Sequence, residues 1–96
     1  MTHPETEAAS IIVRNFSLPG EYARLEDLHK ILSEVICRML LHDYQKLLNL
    51  LYRIDVSEKK FQEAFKEGSS ELVSGKISTL IIEREIEKAN WRRKYK

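Results

Sequence analysis

Between Glu21 and Leu41 apolar residues recur three and four apart: Leu25, Leu28, Leu32, Val35, Ile36 and Met39. Ile31 and Leu40 widen this stripe, and Glu26 and Asp27 lie near its start, where a helix dipole favours carboxylates. The spacing predicts a long helix over 21–41. A second helix follows from Asp43 as its N-cap, with Tyr44, Leu47, Leu48 and Leu51 on one face and Leu50 and Ile54 beside it. No Gly or Pro separates the two, so one continuous helix of about thirty residues is the alternative. Uncapped helices of that length are uncommon in globular domains, which favours the break.

Ser57 suits the N-cap of a third, short helix, and Val56 before it stands in register with Phe61 as a hydrophobic staple. Phe61, Ala64 and Phe65 form its inner face, and Gly68 fits a left-handed stop. "RID" at 53–55 is then a tight link, with Arg53 near one helix C-terminus and Asp55 near the next N-terminus. Both charges sit where the dipoles favour them, which makes the corner a joint rather than a site.

Ser69 and Ser70 offer the cap of a last helix running to about Lys94. Gly75 weakens its first turns by about 1 kcal/mol relative to Ala. At about 100° per residue, Val73, Ile77, Leu80, Trp91 and Tyr95 share a face, and Ile82, Ile86 and Ala89 lie nearly opposite. A helix apolar on two sides is either central to its fold or shared between the core and a partner, and in so small a chain the second is expected. Ile82, Ile86 and Ala89 are therefore the candidate self-association residues, and a homodimer is expected. Arg84 falls within the first face and needs a carboxylate partner if covered.

The start of the chain carries no such pattern. Residues 1–10 are polar and include a proline, which suggests a loosely ordered segment. "IIVRNF" at 11–16 is β-branched, but no second strand pattern exists to pair with it. It is expected to pack as an extended arm or to pair with its copy in another subunit, before a turn at Pro19 and Gly20. The organisation predicted is an irregular N-terminal arm over 1–20 and a helical domain over 21–96. The fold class is all-α, a small four-helix bundle with its third helix short.

Composition fits this picture. Of 96 residues, 43% are apolar and 32% charged, as in ordinary globular proteins rather than disordered ones. A chain of this size buries only about 60–70% of its unfolded surface, so dimerisation is a common way to gain burial. The net charge of +1 gives no overall attraction to nucleic acid or to an anionic membrane. A lone Cys37 permits no disulfide within the chain and suits a reducing compartment. No signal-peptide pattern and no span-length apolar run are visible, so a cytoplasmic location without a membrane partner is expected.

Candidate chemistry is sparse. The chain contains no P-loop, GxGxxG, GxSxG or HExxH, and His3, His29 and His42 share no ligand spacing with one another or with Cys37. No catalytic, cofactor-binding or metal-ligating residue is assigned, and the chain is not read as an enzyme. Glu83 and Glu87 share a face one turn apart while Glu85 turns away, as on a solvated surface. The strongest local charge lies in Trp91, Arg92, Arg93, Lys94, Tyr95 and Lys96, where basic and aromatic residues interleave as in nucleic-acid-binding segments. A helix C-terminus also favours cations, and no other basic stretch extends the footprint. The function expected is a non-catalytic protein-interaction or adaptor module acting through apolar helix faces. Its alternative is a nucleic-acid accessory protein using the basic-aromatic end.

"LLYRIDVSEKK", "LIIEREIEK" and "RRKY" resemble strings in a group of short bacterial proteins of unknown function, across roughly residues 25–95. The resemblance implies an all-helical fold and a bacterial, cytoplasmic origin. It transfers no site residues.

Overall fold

The computed structural model describes residues 1–95, and the first helix begins almost at once. Thr2 is extended, and its hydroxyl accepts a hydrogen bond from the Glu5 backbone N–H at 3.4 Å. Pro4 stands in the first turn, where its missing N–H costs nothing. From this cap α1 runs over His3–Phe16, burying Ala8, Ala9, Ile12 and Phe16 on one stripe. Ser17 then turns left-handed (φ 53°), and the Leu18 N–H donates back to Val13 O at 2.9 Å, a Schellman closure. The expected irregular arm, extended over 11–16, is thus a helix. The β-branched run Ile11–Val13 lowers helix propensity by only tenths of a kcal/mol per residue. Full burial of Ile12 stabilises by about 1.5–3 kcal/mol. Burial wins.

The next helix, α2 (Leu25–His42), starts four residues later than the pattern suggests. Its core line is Leu28, Leu32 and Ile36. Asp43 leaves helical geometry (φ −152°, ψ 57°) and separates α2 from α3 (Tyr44–Ile54). The break falls at the residue that the sequence marks, although the Asp43 side chain makes no capping bond. Leu47, Leu50, Leu51 and Ile54 are the buried side of α3. Asp55 is left-handed (φ 67°), and the Val56 N–H closes onto Leu51 O at 3.1 Å. Ser57 caps α4 (Glu58–Ala64) through the Lys60 N–H at 3.4 Å, with Val56 and Phe61 both buried as the staple requires. A 3-10 turn over Phe65–Glu67 leads to Gly68, whose φ of 104° only glycine adopts readily. Ser69 caps α5 (Ser70–Lys94) by accepting from the Leu72 N–H at 3.2 Å.

Five helices and no strand make up the described residues, one helix more than the four-helix reading. The longest, α5, is the axis on which α1 and α2 pack. Leu25 and Glu26 lie beside Ile82 and Glu83, and His29 beside Gly75 and Thr79, so α2 and α5 run antiparallel. Small residues meet at this crossing. The Ser33 hydroxyl donates to Ser78 Oγ at 3.0 Å, and Ser74 returns its proton to the backbone of its own helix.

The second apolar face of α5 is covered from within the chain. With α1 and α2 both packed against α5, Ile82 and Ala89 are buried and Ile86 half-buried. The inference that this face needs a partner therefore loses its ground, because it depended on residues 1–16 being an arm. Trp91 and Tyr95, which the sequence pattern places on one face with Val73 and Ile77, are exposed while those two are buried. The buried line starts at Val73 and Ile77 and drifts around α5 to Ile82 and Ala89. The last two aromatics are thereby left on the outside. No described helix is long and apolar enough to cross a membrane.

Candidate functional site

The corner after α3 is built by two cations of α5. Arg84 Nε donates to Asp55 O at 2.9 Å and its Nη2 to Asp55 Oδ2 at 3.0 Å, while Nη1 meets Glu87. One turn on, Lys88 Nζ donates to Ile54 O at 2.9 Å. The two side chains satisfy carbonyls that the end of α3 leaves open, at the negative pole of its dipole. Arg84 thus has the carboxylate that its position demanded. Arg53 is exposed and takes no part.

Lys88 also approaches Glu85 Oε1 at 3.1 Å, although no donor is aligned on that oxygen, so the contact is ionic rather than a directed hydrogen bond. Glu85 is only 1% exposed. The reading of Glu83, Glu85 and Glu87 as one solvated set holds for the outer two and fails for the middle one. Glu85 turns away from its neighbours as expected, but toward the α1-covered side, which the missed helix concealed.

At the end of α5, the Trp91 and Tyr95 rings meet tilted by 48°, 5.1 Å between centroids, and Lys94 Nζ lies 5.6 Å from the Tyr95 ring. Arg92 reaches Glu7 of α1 at 3.5 Å. Arg93 and Lys94 carry no ion pair among the described residues, and Lys96 lies outside them. A groove of about 800 Å³ opens here, with Arg84, Glu87, Lys88, Trp91 and Lys94 among its walls. Another, of about 640 Å³, lies at the opposite end of α5, between it and α4, around Leu72, Lys76, Glu63 and Glu67. Lys76 and Glu67 pair across it at 2.9 Å.

A third feature joins α3 to α4. Tyr44 meets Phe65, Phe65 meets Phe61 and Phe61 meets Tyr52, each at 5.7 Å between centroids. Tilted and edge-on aromatic contacts of this kind add about 0.5–1.5 kcal/mol per pair. Phe61 is buried, whereas Tyr44 is 47% and Tyr52 54% exposed. Beside Glu58 and against the edge of Phe61, the Tyr52 phenol is pushed above its ordinary 10.0, first by lost hydration and then by the carboxylate. Sequence reading placed Phe61 and Phe65 inward but passed over this row. Tyr44 and Tyr52 are eight apart, and only the position of α4 brings their rings to Phe65 and Phe61.

His29 bonds Gly75 O at 2.9 Å, while Cys37 is half-buried on α2. His3 and His42 are exposed. Comparison with known proteins finds no match among family models, curated proteins or solved structures.

Proposed function

We propose that this chain is a non-catalytic protein-interaction module of the adaptor kind, and that it meets another polypeptide through the aromatic edge of α3 and α4. The observation that carries this reading is the row Tyr44–Phe65–Phe61–Tyr52, anchored on a buried ring and half open to solvent at both ends. Tyrosines fixed in this way offer apolar area and a polar tip at little conformational cost, as interface residues do. The polar groups that converge elsewhere also favour it. Arg84, Lys88 and Asp55 are engaged in holding helix to helix.

The nucleic-acid reading draws on the exposed Trp91 and Tyr95 but has little charge behind it. Arg92 faces Glu7, and the neighbouring Arg84 and Lys88 already face carboxylates. Among the described residues of this end, Arg93 and Lys94 are left without an ion pair, a small phosphate footprint.

The test is affinity purification from the native host with the unmutated chain and with Tyr44→Ser/Tyr52→Ser. A protein recovered in stoichiometric amount with the first and lost with the second supports the reading. Equal recovery with both, or none with either, overturns it.

A further inference from the structure

The outer side of α5 remains. At 3.6 residues per turn Leu72, Lys76, Glu83, Glu87, Asn90 and Lys94 fall within about 60° of one another, with Leu80 and Trp91 at the margin. Two large apolar side chains mark the ends of this side: Leu72 is 57% and Trp91 63% exposed. Each sits in one of the two grooves along α5. The grooves differ in charge. Around Leu72 stand Glu63, Glu67 and Glu71 against Lys60 and Lys76. Around Trp91 stand Arg84, Lys88, Arg92 and Lys94 against Glu87. The first rim carries one acid in excess, whereas at the second Arg84, Lys88 and Arg92 face carboxylates of their own chain and Lys94 is the cation without an ion pair among the described residues.

We propose that two copies of this chain dock α5 against α5, antiparallel about a two-fold axis, each placing Trp91 in the groove beside Leu72 of the other. An axis crossing α5 between Ile81 and Ile82 sets the level of Leu72 against that of Trp91 and Lys76 opposite Glu87, each pair occurring twice. A two-fold contact must be self-complementary, and a helix apolar at both ends with opposite charge beside each end meets that condition. The pairs Lys76–Glu67 and Arg84–Glu87 within each chain are surface contacts. Such contacts contribute little, so sharing them across the interface costs little. Glu83 is the exception: its two copies flank the axis as like charges. The surface is distinct from the aromatic edge of α3 and α4, and neither proposal depends on the other.

Sedimentation velocity on the full chain over rising concentration, with Trp91 emission recorded in parallel, tests this. Trp91 is the only tryptophan, so docking into a groove must shift its emission to the blue as the dimer fills. Lys76→Glu and Glu87→Lys, each checked for retained helicity, are each expected to weaken the dimer about tenfold or more. Mixing the two variants restores it as a heterodimer, since each new charge then faces its opposite in both copies of the pair. Misfolding cannot produce that rescue. Glu83→Gln tightens the dimer. A chain that stays monomeric throughout overturns the proposal, and so does a dimer whose Trp91 emission does not move or that both reversals leave intact. A monomer whose Trp91 emission responds to a single-stranded oligonucleotide overturns it as well and gives this surface to nucleic acid.

Discussion

Arg84 of α5 holds Asp55 by its backbone carbonyl and its carboxylate together, at 2.9 and 3.0 Å. The first contact fastens the end of α3. The second fixes the side chain of a residue already in left-handed geometry, a conformation that Asp tolerates better than most.

The two bonds are expected to separate on mutation. Arg84→Ala removes both and leaves the Asp55 carbonyl to water, a loss of about 1–2 kcal/mol. Asp55→Asn keeps the carbonyl and the tolerance for positive φ and removes only an exposed ion pair, so its loss stays below about 1 kcal/mol. Urea denaturation of both variants checks the order. If Asp55→Asn costs as much as Arg84→Ala, the carboxylate and not the carbonyl is the anchor.

The first helix is the element on which the second face of α5 depends. Ile12→Ala is expected to cost about 2–5 kcal/mol, as for a fully buried aliphatic residue. Thr2→Ala should cost about 0.5–2 kcal/mol, and toward the lower end, because the capping bond is long and exposed. Denaturation midpoints and helicity by circular dichroism report both. An Ile12→Ala variant as stable as the parent would mean that α1 does not pack on α5 through this side.

Legibility in this sequence followed capping chemistry more closely than hydrophobic runs. Ser57, Ser69, Gly68 and the break at Asp43 are local signals, and each lies where the structure ends or begins a helix. The start of α1 carries equally local signals: Thr2 three residues before Glu5, with Pro4 between them. They are easily discounted, because polar termini are usually loose and Ile11–Val13 looks like a strand. That single misreading spread. With α1 absent, Ile82, Ile86 and Ala89 seemed to need a partner, and Glu85 seemed solvated. The aromatic row could not be read at all, since its ring contacts depend on how α4 folds back beside α3, and no spacing along one helix encodes that.

Tyr52 offers a test of that fold-back by titration. Its phenol lies above 10.0 because packing against Phe61 strips water from one side and because Glu58, whose Oε1 accepts from the hydroxyl at 3.5 Å, disfavours a second negative charge; Tyr44 adds a smaller push. A raised value means that the folded state prefers the protonated phenol. The contribution to stability is therefore complete below the unfolded value and is lost as pH rises through the folded one, in the alkaline range above 10.0. Ultraviolet titration of tyrosinate absorbance, with Tyr52→Phe identifying the component that belongs to this residue, should show it ionising above 10.0. Glu58→Gln should move that component downward without bringing it fully back, because the Phe61 contact survives. A Tyr52 component at or below 10.0 in the unmutated chain would mean that α4 does not lie against this end of α3, and the exposed aromatic row would go with it.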